Sequence, residues 1–314
     1  MNLIFIILCF SATNSYAMNQ LHNPCSNSND KVELLKRIEH RFKEKHNQQF
    51  SILYSRDSTA IESLFPQALV KGDQELIRLF ALAGAPLNKD FDELGKKTPV
   101  AYASDLGNYE LVSLLIQCGA SANSGCPLYY AVQRSLPIVR LLKKYGADIN
   151  AKKFGRTPLH IAVTRGNELI TYLIKECGAS PDIVSENKDD FGTPLHEATM
   201  KAGISAMGTL LMCGACVDAK NNKGETSLHV AVQHAKRDAV KLLLSWQANL
   251  CIRDYYGATP YTYIANKEIQ EIIDEEIDKK RIDLQDLKMD WLQAAKRFLQ
   301  LMHQALQLHV SNSI

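Results

Sequence analysis

An all-α repeat solenoid, a stack of helix-turn-helix units with projecting loops and helical N- and C-terminal flanks, is the fold class that this sequence predicts. Three observations carry it. A hexapeptide recurs as Thr157-Pro158-Leu159-His160-Ile161-Ala162, Thr193-Pro194-Leu195-His196-Glu197-Ala198 and Thr226-Ser227-Leu228-His229-Val230-Ala231. Echoes stand at Thr98-Pro99-Val100-Ala101-Tyr102-Ala103, Cys126-Pro127-Leu128-Tyr129-Tyr130-Ala131 and Thr259-Pro260-Tyr261. First residues of successive copies lie 28, 31, 36, 33 and 33 apart, a period at which chains stack helix pairs. A Gly-Ala pair closes most copies, with its alanine 22 residues after the threonine position: Gly119-Ala120, Gly178-Ala179, Gly214-Ala215 and the variant Gln247-Ala248. In the copy from Cys126 the pair, Gly146-Ala147, comes one residue early. Between the two signatures run paired aliphatics, from Leu114 and Leu115 to Leu242 through Leu244.

Each part of the repeat has a mechanical reason. A threonine side chain caps orphan amides at a helix start, and proline suits the first helical position because its missing N–H would be unpaired there. So Thr157, Pro158, Thr193 and Thr226 open first helices. The leucine two places on and the alanine five places on face inward. Gly107 and Gly166, nine residues after the threonine position, are placed to end helix one in the left-handed conformation. The aliphatic pairs mark helix two, Gly-Ala ends it, and a polar loop carries the chain onward. Counting back from Gly84-Ala85 puts a worn first copy near Ser63. Only Ser121 to Gly125 separate the copies at Thr98 and Cys126, so a projecting loop is expected to be missing there.

Two signatures recurring in phase closely resemble the ankyrin repeat. The division that follows is 1–17 signal peptide, 18–62 helical N-terminal cap, 63–280 about seven repeats starting near 63, 98, 126, 157, 193, 226 and 259, and 281–314 a C-terminal amphipathic helix. The resemblance implies a non-catalytic scaffold that recognises a partner protein through its loop tips and the inner surface of its first helices, with no cofactor. Departures are plain. The copy from Cys126 lacks the threonine and histidine, and the copy from Thr226 has Ala235 and Gln247 where glycines usually stand.

The repeat also accounts for residues that would suggest chemistry if seen singly. His160, His196 and His229 hold one place in three copies, where the resemblance implies bonding to neighbouring backbone and side chains. Packed helices lie roughly 8–10 Å apart, too far to share a zinc at about 2.0 Å per ligand. Cys118, Cys177 and Cys213 all precede Gly-Ala and read as core cysteines. Cys213 and Cys216 have the C-x-x-C spacing, but they stand at a helix C-terminus, where the dipole raises a thiol pKa. A net charge of +2, from 36 Lys plus Arg against 34 Asp plus Glu, gives no field to draw nucleic acid.

Candidate partner contacts are Phe154, Phe191 and Tyr256, directly before loop glycines, with Tyr255 adjacent. Folding does not call for aromatics there, and aromatics anchor interfaces. Packing between adjacent loops is the competing reading. Asn150, within Asp148-Ile149-Asn150-Ala151, resembles the ankyrin asparagine-hydroxylation context and is a candidate modification site, against an ordinary turn-stabilising role.

The flanks extend the expectations. Leu3 to Phe10 is an apolar run followed by the polar stretch Ser11 to Tyr16 and then Ala17, the layout of a cleaved export signal, although no Lys or Arg precedes it and a buried N-terminal helix is the competing reading. It falls short of the roughly 20 residues of a membrane span. Export, to periplasm or medium, is the expected localisation, and the pairing of such a signal with these repeats is similar to exported bacterial, often host-associated, ankyrin proteins. Without residues 1–17, seven cysteines remain, an odd number. Val32, Leu35, Ile38 and Phe42 are expected to form the buried face of an N-terminal helix. Leu284, Leu287, Trp291, Ala294, Phe298, Leu301, Ala305 and Leu308 follow a 3,4 spacing. That pattern suits a capping helix, self-association through residues 284–308, or a surface for a membrane or partner. A toxin-like enzyme in the C-terminal region is the rival class, but no nucleophile–base constellation supports it.

Overall fold

The computed structural model describes residues 28–46, 59–186 and 192–280. These residues form helices joined by turns, with isolated antiparallel bridges at Phe91–Lys97, Lys153–Arg156 and Lys220–Thr226. The all-α repeat architecture expected from the sequence is the one observed. The chain divides into two compact units between Asp148 and Ile149.

In the first unit, α1 (Ser28–His46) precedes three helix pairs. They are α2 (Thr59–Lys71) with α3 (Gln74–Leu82), α4 (Pro99–Leu106) with α5 (Tyr109–Gln117), and α6 (Pro127–Arg134) with α7 (Leu136–Lys144). Helix α2 opens at Thr59, four residues before the worn hexapeptide position. Helix α1 buries Leu34 and Ile38, while Val32 is 43% exposed. The apolar residues of α1 outline two overlapping stripes, and the one containing Leu34 faces inward. Arg41 on the same helix reaches Asp73 and Glu75 at the start of α3, 3.4 and 2.9 Å away. Asp73 is itself the N-cap, accepting from the Leu76 amide.

In the second unit, α8 (Pro158–Ala162) pairs with α9 (Asn167–Thr171), whose final turns widen over Tyr172–Glu176. Next, α10 (Pro194–Glu197) continues through the wide turn Ala198–Ala202 into α11 (Ile204–Met212). Then come α12 (Ser227–Gln233) with α13 (Arg237–Ser245), a 3-10 turn at Pro260–Tyr263, and α14 (Lys267–Lys280). Helix α14 buries Ile269, Ile273 and Ile277, an i, i+4 stripe on one face. Gly166 does not end helix one as a left-handed residue. At φ 137° and ψ 158° it stands at the N-cap of α9, because α8 has already stopped at Ala162. Gly107 does take the left-handed conformation, at φ 72°. Where glycine is missing, the backbone keeps its shape: Ala235 has φ 52° and Gln247 φ 63°, each strained by roughly 1 kcal/mol.

Two series of hydrogen bonds tie neighbouring repeats together within the units. The first uses the histidines. The Thr157 amide donates to His160 Nδ1 at 3.2 Å, so the ring proton is on Nε2, which donates to the Gly192 carbonyl at 2.9 Å. His196 bridges the Thr193 amide to the Glu225 carbonyl, and His229 the Thr226 amide to the Ala258 carbonyl. In the Thr98 copy, where Ala101 stands at the histidine place, the Thr98 hydroxyl donates forward to the Ser124 carbonyl at 2.9 Å. The second series uses the residue four places after the helix-closing glycine. Asn88 accepts from the Ser121 amide and Asn123 from Asp148 in the first unit. Asn150 accepts from Ser180, Asp182 from Cys216 and Asp218 from Asn249 in the second, all at 2.7–3.0 Å.

Candidate functional site

Burial separates the predicted residues sharply. Thr157, Pro158, His160, Thr193, His196, Thr226 and His229 are buried, with every histidine ring engaged at both nitrogens. These residues are internal fasteners, and their side chains are not offered to a ligand. Burial pulls His196 down to about 4, against the raising effect of its bond to the Glu225 carbonyl, and it also lowers His229. Asn150 is a rung of the second series through its Oδ1. Burial pushes the Cys118 thiol up, away from the thiolate that redox work needs. Cys213 caps the C-terminal end of α11, as its position before Gly214 implies. Among the described residues no group of three or more His, Cys, Asp or Glu is placed to hold a metal ion, and the described cysteines are free.

The aromatics lie at the opposite extreme. Phe154 is 69% exposed and Tyr255 and Tyr256 are 57% and 50% exposed, all three on loop tips of the second unit. Phe191 lies outside the described residues, as do 1–17 and the segment 284–308. Phe154 has φ 52°, a left-handed backbone that bulky side chains avoid. Its ring is held outward beside the Lys153 ammonium, 5.3 Å from the ring centroid, a cation–π distance. Tyr255 combines both readings of these aromatics. Its amide donates to the Lys223 carbonyl of the preceding loop at 3.0 Å, and its ring lies so close to Gly224 that a Cβ there would come within 2.7 Å. Loop-to-loop packing therefore sets the ring's orientation, while more than half of the residue remains open to solvent.

Sequence reasoning passed over one charged cluster. Glu197, buried, pairs with Arg156 Nη2 and, at 3.2 Å, with Lys201 Nζ. It holds the fifth place of the hexapeptide, where its sister copies carry Ile161 and Val230. A charge at an apolar register position was the available signal. The cluster joins the loop before α8 to α10.

A family model described as ankyrin repeats in three copies matches residues 65–153, 100–185, 151–221 and 195–286. Among curated proteins, the chain is 35% identical over 153 residues to human (Homo sapiens) Rabankyrin-5, covering 47% of this chain and 13% of that protein. It is 31% identical over 147 residues to human B-cell lymphoma 3 protein, covering 44% and 32%. It is 30% identical over 204 residues to palmitoyltransferase ZDHHC13 of Mus musculus, covering 60% and 31%. The chain thus spans about a third or less of each relative. The solved ankyrin repeat domain of Bcl-3 superposes with a TM-score of 0.57 at 26% identity, covering 67% of this chain and 97% of that one. The human ASB11 ankyrin repeat domain has the same fold, with a TM-score of 0.54 at 23% identity, covering 68% and 96%.

Proposed function

This chain belongs to the ankyrin-repeat family, and from that premise we propose that it is a non-catalytic scaffold binding a partner protein through the loop tips and adjoining inner helix faces of residues 149–280. The conformation of Phe154 carries the reading. A large apolar side chain is held two-thirds exposed on a backbone that glycine or asparagine would adopt at less cost. Packing within the fold gains little from it, whereas an exposed, rigid aromatic at a loop tip gives a partner a preformed anchor. The histidines and threonines that could suggest chemistry are already consumed in holding repeats together.

The test is affinity capture from lysates with the full chain and with Phe154→Ala/Tyr255→Ala/Tyr256→Ala, both checked for equal melting. The captured partner should bind the triple variant at least about thirtyfold more weakly, the factor that follows if only one of the three is a hot-spot anchor of roughly 2 kcal/mol. Undiminished binding by the folded variant rejects the loop tips. Export is a separate proposal, supported by the apolar run Leu3–Phe10 and the small residues before Met18. The mature N-terminus read by mass spectrometry should then be Met18, and recovery of Met1 in the exported material rejects cleavage there.

A further inference from the structure

The three histidine ties all fall in the second unit. His160, His196 and His229 fasten consecutive repeats there, whereas in the first unit Ala101 and Tyr129 hold the same place and the forward bond at Thr98 comes from a hydroxyl. Each of the three rings is buried, and each uses Nδ1 in the same way. The amides of Thr157, Thr193 and Thr226 point at it from 3.2, 3.3 and 3.0 Å, and the hydroxyls of the same threonines lie 2.8–2.9 Å away. A hydroxyl can turn to accept a proton from Nδ1, but a backbone amide has only a hydrogen to present. A proton added to any of these rings therefore sets two N–H groups face to face at the start of a helix. It also places a charge where burial disfavours one. Burial governs His196 and His229: it holds the first at about 4, against an ordinary 6.5, and lowers the second. Glu225, which faces both rings, and Asp254, which faces His229, favour the charged form. Lys220 beside His229 and the sister rings beside His196 oppose it. Around α8 and α10 the charged groups include Arg156, Glu197 and Lys201, paired with one another.

From this arrangement we infer that the second unit is an acid-opened element, in which protonation of His160, His196 and His229 releases three successive repeat-to-repeat ties while the first unit stays closed. Its sign follows from where the protons go. The open chain accepts protons that the closed one refuses, so this stability is fully present above about 6.5 and is lost as pH falls toward 4. The first unit carries no counterpart in that window. His40 lies exposed on α1, 3.5 Å from Glu44. Against burial, the bonds from Lys97 and Arg134 hold Asp105 below the ordinary carboxylate value, so its contribution is lost only below the pH at which the histidines act. Local opening of one cooperative element ahead of the rest is how many folds yield, and here a proton selects the element. The unit that opens carries Phe154, Tyr255 and Tyr256. Loss of that surface to a partner rests on the protein-binding reading above, whereas the opening is measured on the chain alone and stands or falls separately.

Hydrogen exchange followed peptide by peptide on the full chain between pH 7 and 5, corrected for the intrinsic effect of pH on exchange, tests this. The opening constant of peptides within 149–280 should rise at least about twentyfold, the factor that His196 alone supplies when its value falls from 6.5 to about 4 on folding. That of peptides within 59–148 should stay as it was. His196→Asn, which can still accept from the Thr193 amide, should shrink the rise, and His160→Asn/His196→Asn/His229→Asn should remove most of it. His234→Asn, at an exposed place in the same unit, should leave it unchanged. If the triple variant does not fold, NMR of the wild type decides. The rings of His160, His196 and His229 should keep their neutral-form chemical shifts from pH 7 to 5 for as long as the second unit is closed. Titration of these rings in the closed unit overturns the proposal, as do equal losses of protection in both units, a second unit indifferent to pH, or a rise that the folded asparagine variants retain in full.

Discussion

Replacing His196 by alanine is expected to lower the stability of the second unit by about 3–4 kcal/mol, the largest loss from any single substitution we foresee. The ring is fully buried and has two jobs. Its Nδ1 satisfies the Thr193 amide at the start of α10, and its Nε2 donates to the Glu225 carbonyl of the next repeat. Truncation leaves a buried amide without its acceptor, costing about 1–3 kcal/mol, and opens a cavity beneath neighbours that cannot fully collapse. The Glu225 carbonyl keeps its bond from the Asn221 amide, so the loss is set mainly at Thr193. Urea unfolding measures the total, and hydrogen exchange at the Thr193 amide locates it. His196→Asn, which can accept from Thr193 but falls short of Glu225, should lose less. Equal losses for alanine and asparagine would place the effect in the forward bond instead.

The same residue sets a pH dependence. In the folded protein burial holds His196 near 4, below the ordinary 6.5. The unfolded chain therefore binds more protons across that interval, and stability rises with pH through it. The contribution is fully present above about 6.5 and is lost progressively as pH falls toward 4. Its size is roughly 3 kcal/mol, taking 1.36 kcal/mol per pKa unit. His229, also lowered, acts in the same direction. Urea midpoints between pH 7 and 4 should fall less steeply for His196→Asn than for the wild type, and parallel curves would show that carboxylate protonation dominates instead.

Gly192→Ala should cost about 3 kcal/mol, against about 1 kcal/mol for Gly178→Ala. Both glycines have positive φ, 92° and 75°, so each substitution bears the left-handed penalty of roughly 1 kcal/mol. They differ in space. A Cβ at Gly178 meets nothing within 4 Å, whereas at Gly192 it would come within 2.3 Å of Asn221 Cβ and 2.9 Å of Asn221 Cα. Backbone cannot swing aside like a side-chain end, so the loop at Asn221 must move, adding about 1–3 kcal/mol of overpacking. The Gly192 carbonyl, acceptor for His160 and for the Ser185 amide, moves with it. Thermal melts of the two variants read the difference directly, and similar losses would mean that the loops yield without strain.

The repeat was legible in the sequence because its parts are local: Thr-Pro opens a helix whatever surrounds it, and a glycine closes one. The second bonding series was also written there, as Asn88, Asn123, Asn150, Asp182 and Asp218 in one register, yet only Asn150 attracted notice. An Asn or Asp in a polar loop looks ordinary until its register is compared between copies. On α1 the expected face holds at Ile38 and fails at Val32, with the Phe42 side chain outside the described residues, because Leu34 opens a second stripe that overlaps the first.

The histidine ties reach forward to carbonyls of Gly192, Glu225 and Ala258, and the loop rungs of the second unit take amides of Ser180, Cys216 and Asn249. The receiving residues share no side-chain chemistry, since the group that receives is the peptide unit common to every residue. These repeats therefore grip their successors by a main-chain group, which depends on the successor's backbone conformation and not on a particular side chain's chemistry. Unequal crossing-over in the gene could delete, duplicate or transplant a whole repeat within the unit and still find the fastener's counterpart waiting. Heredity can in this way lengthen the row and reshuffle its loop tips without having to invent a new joint.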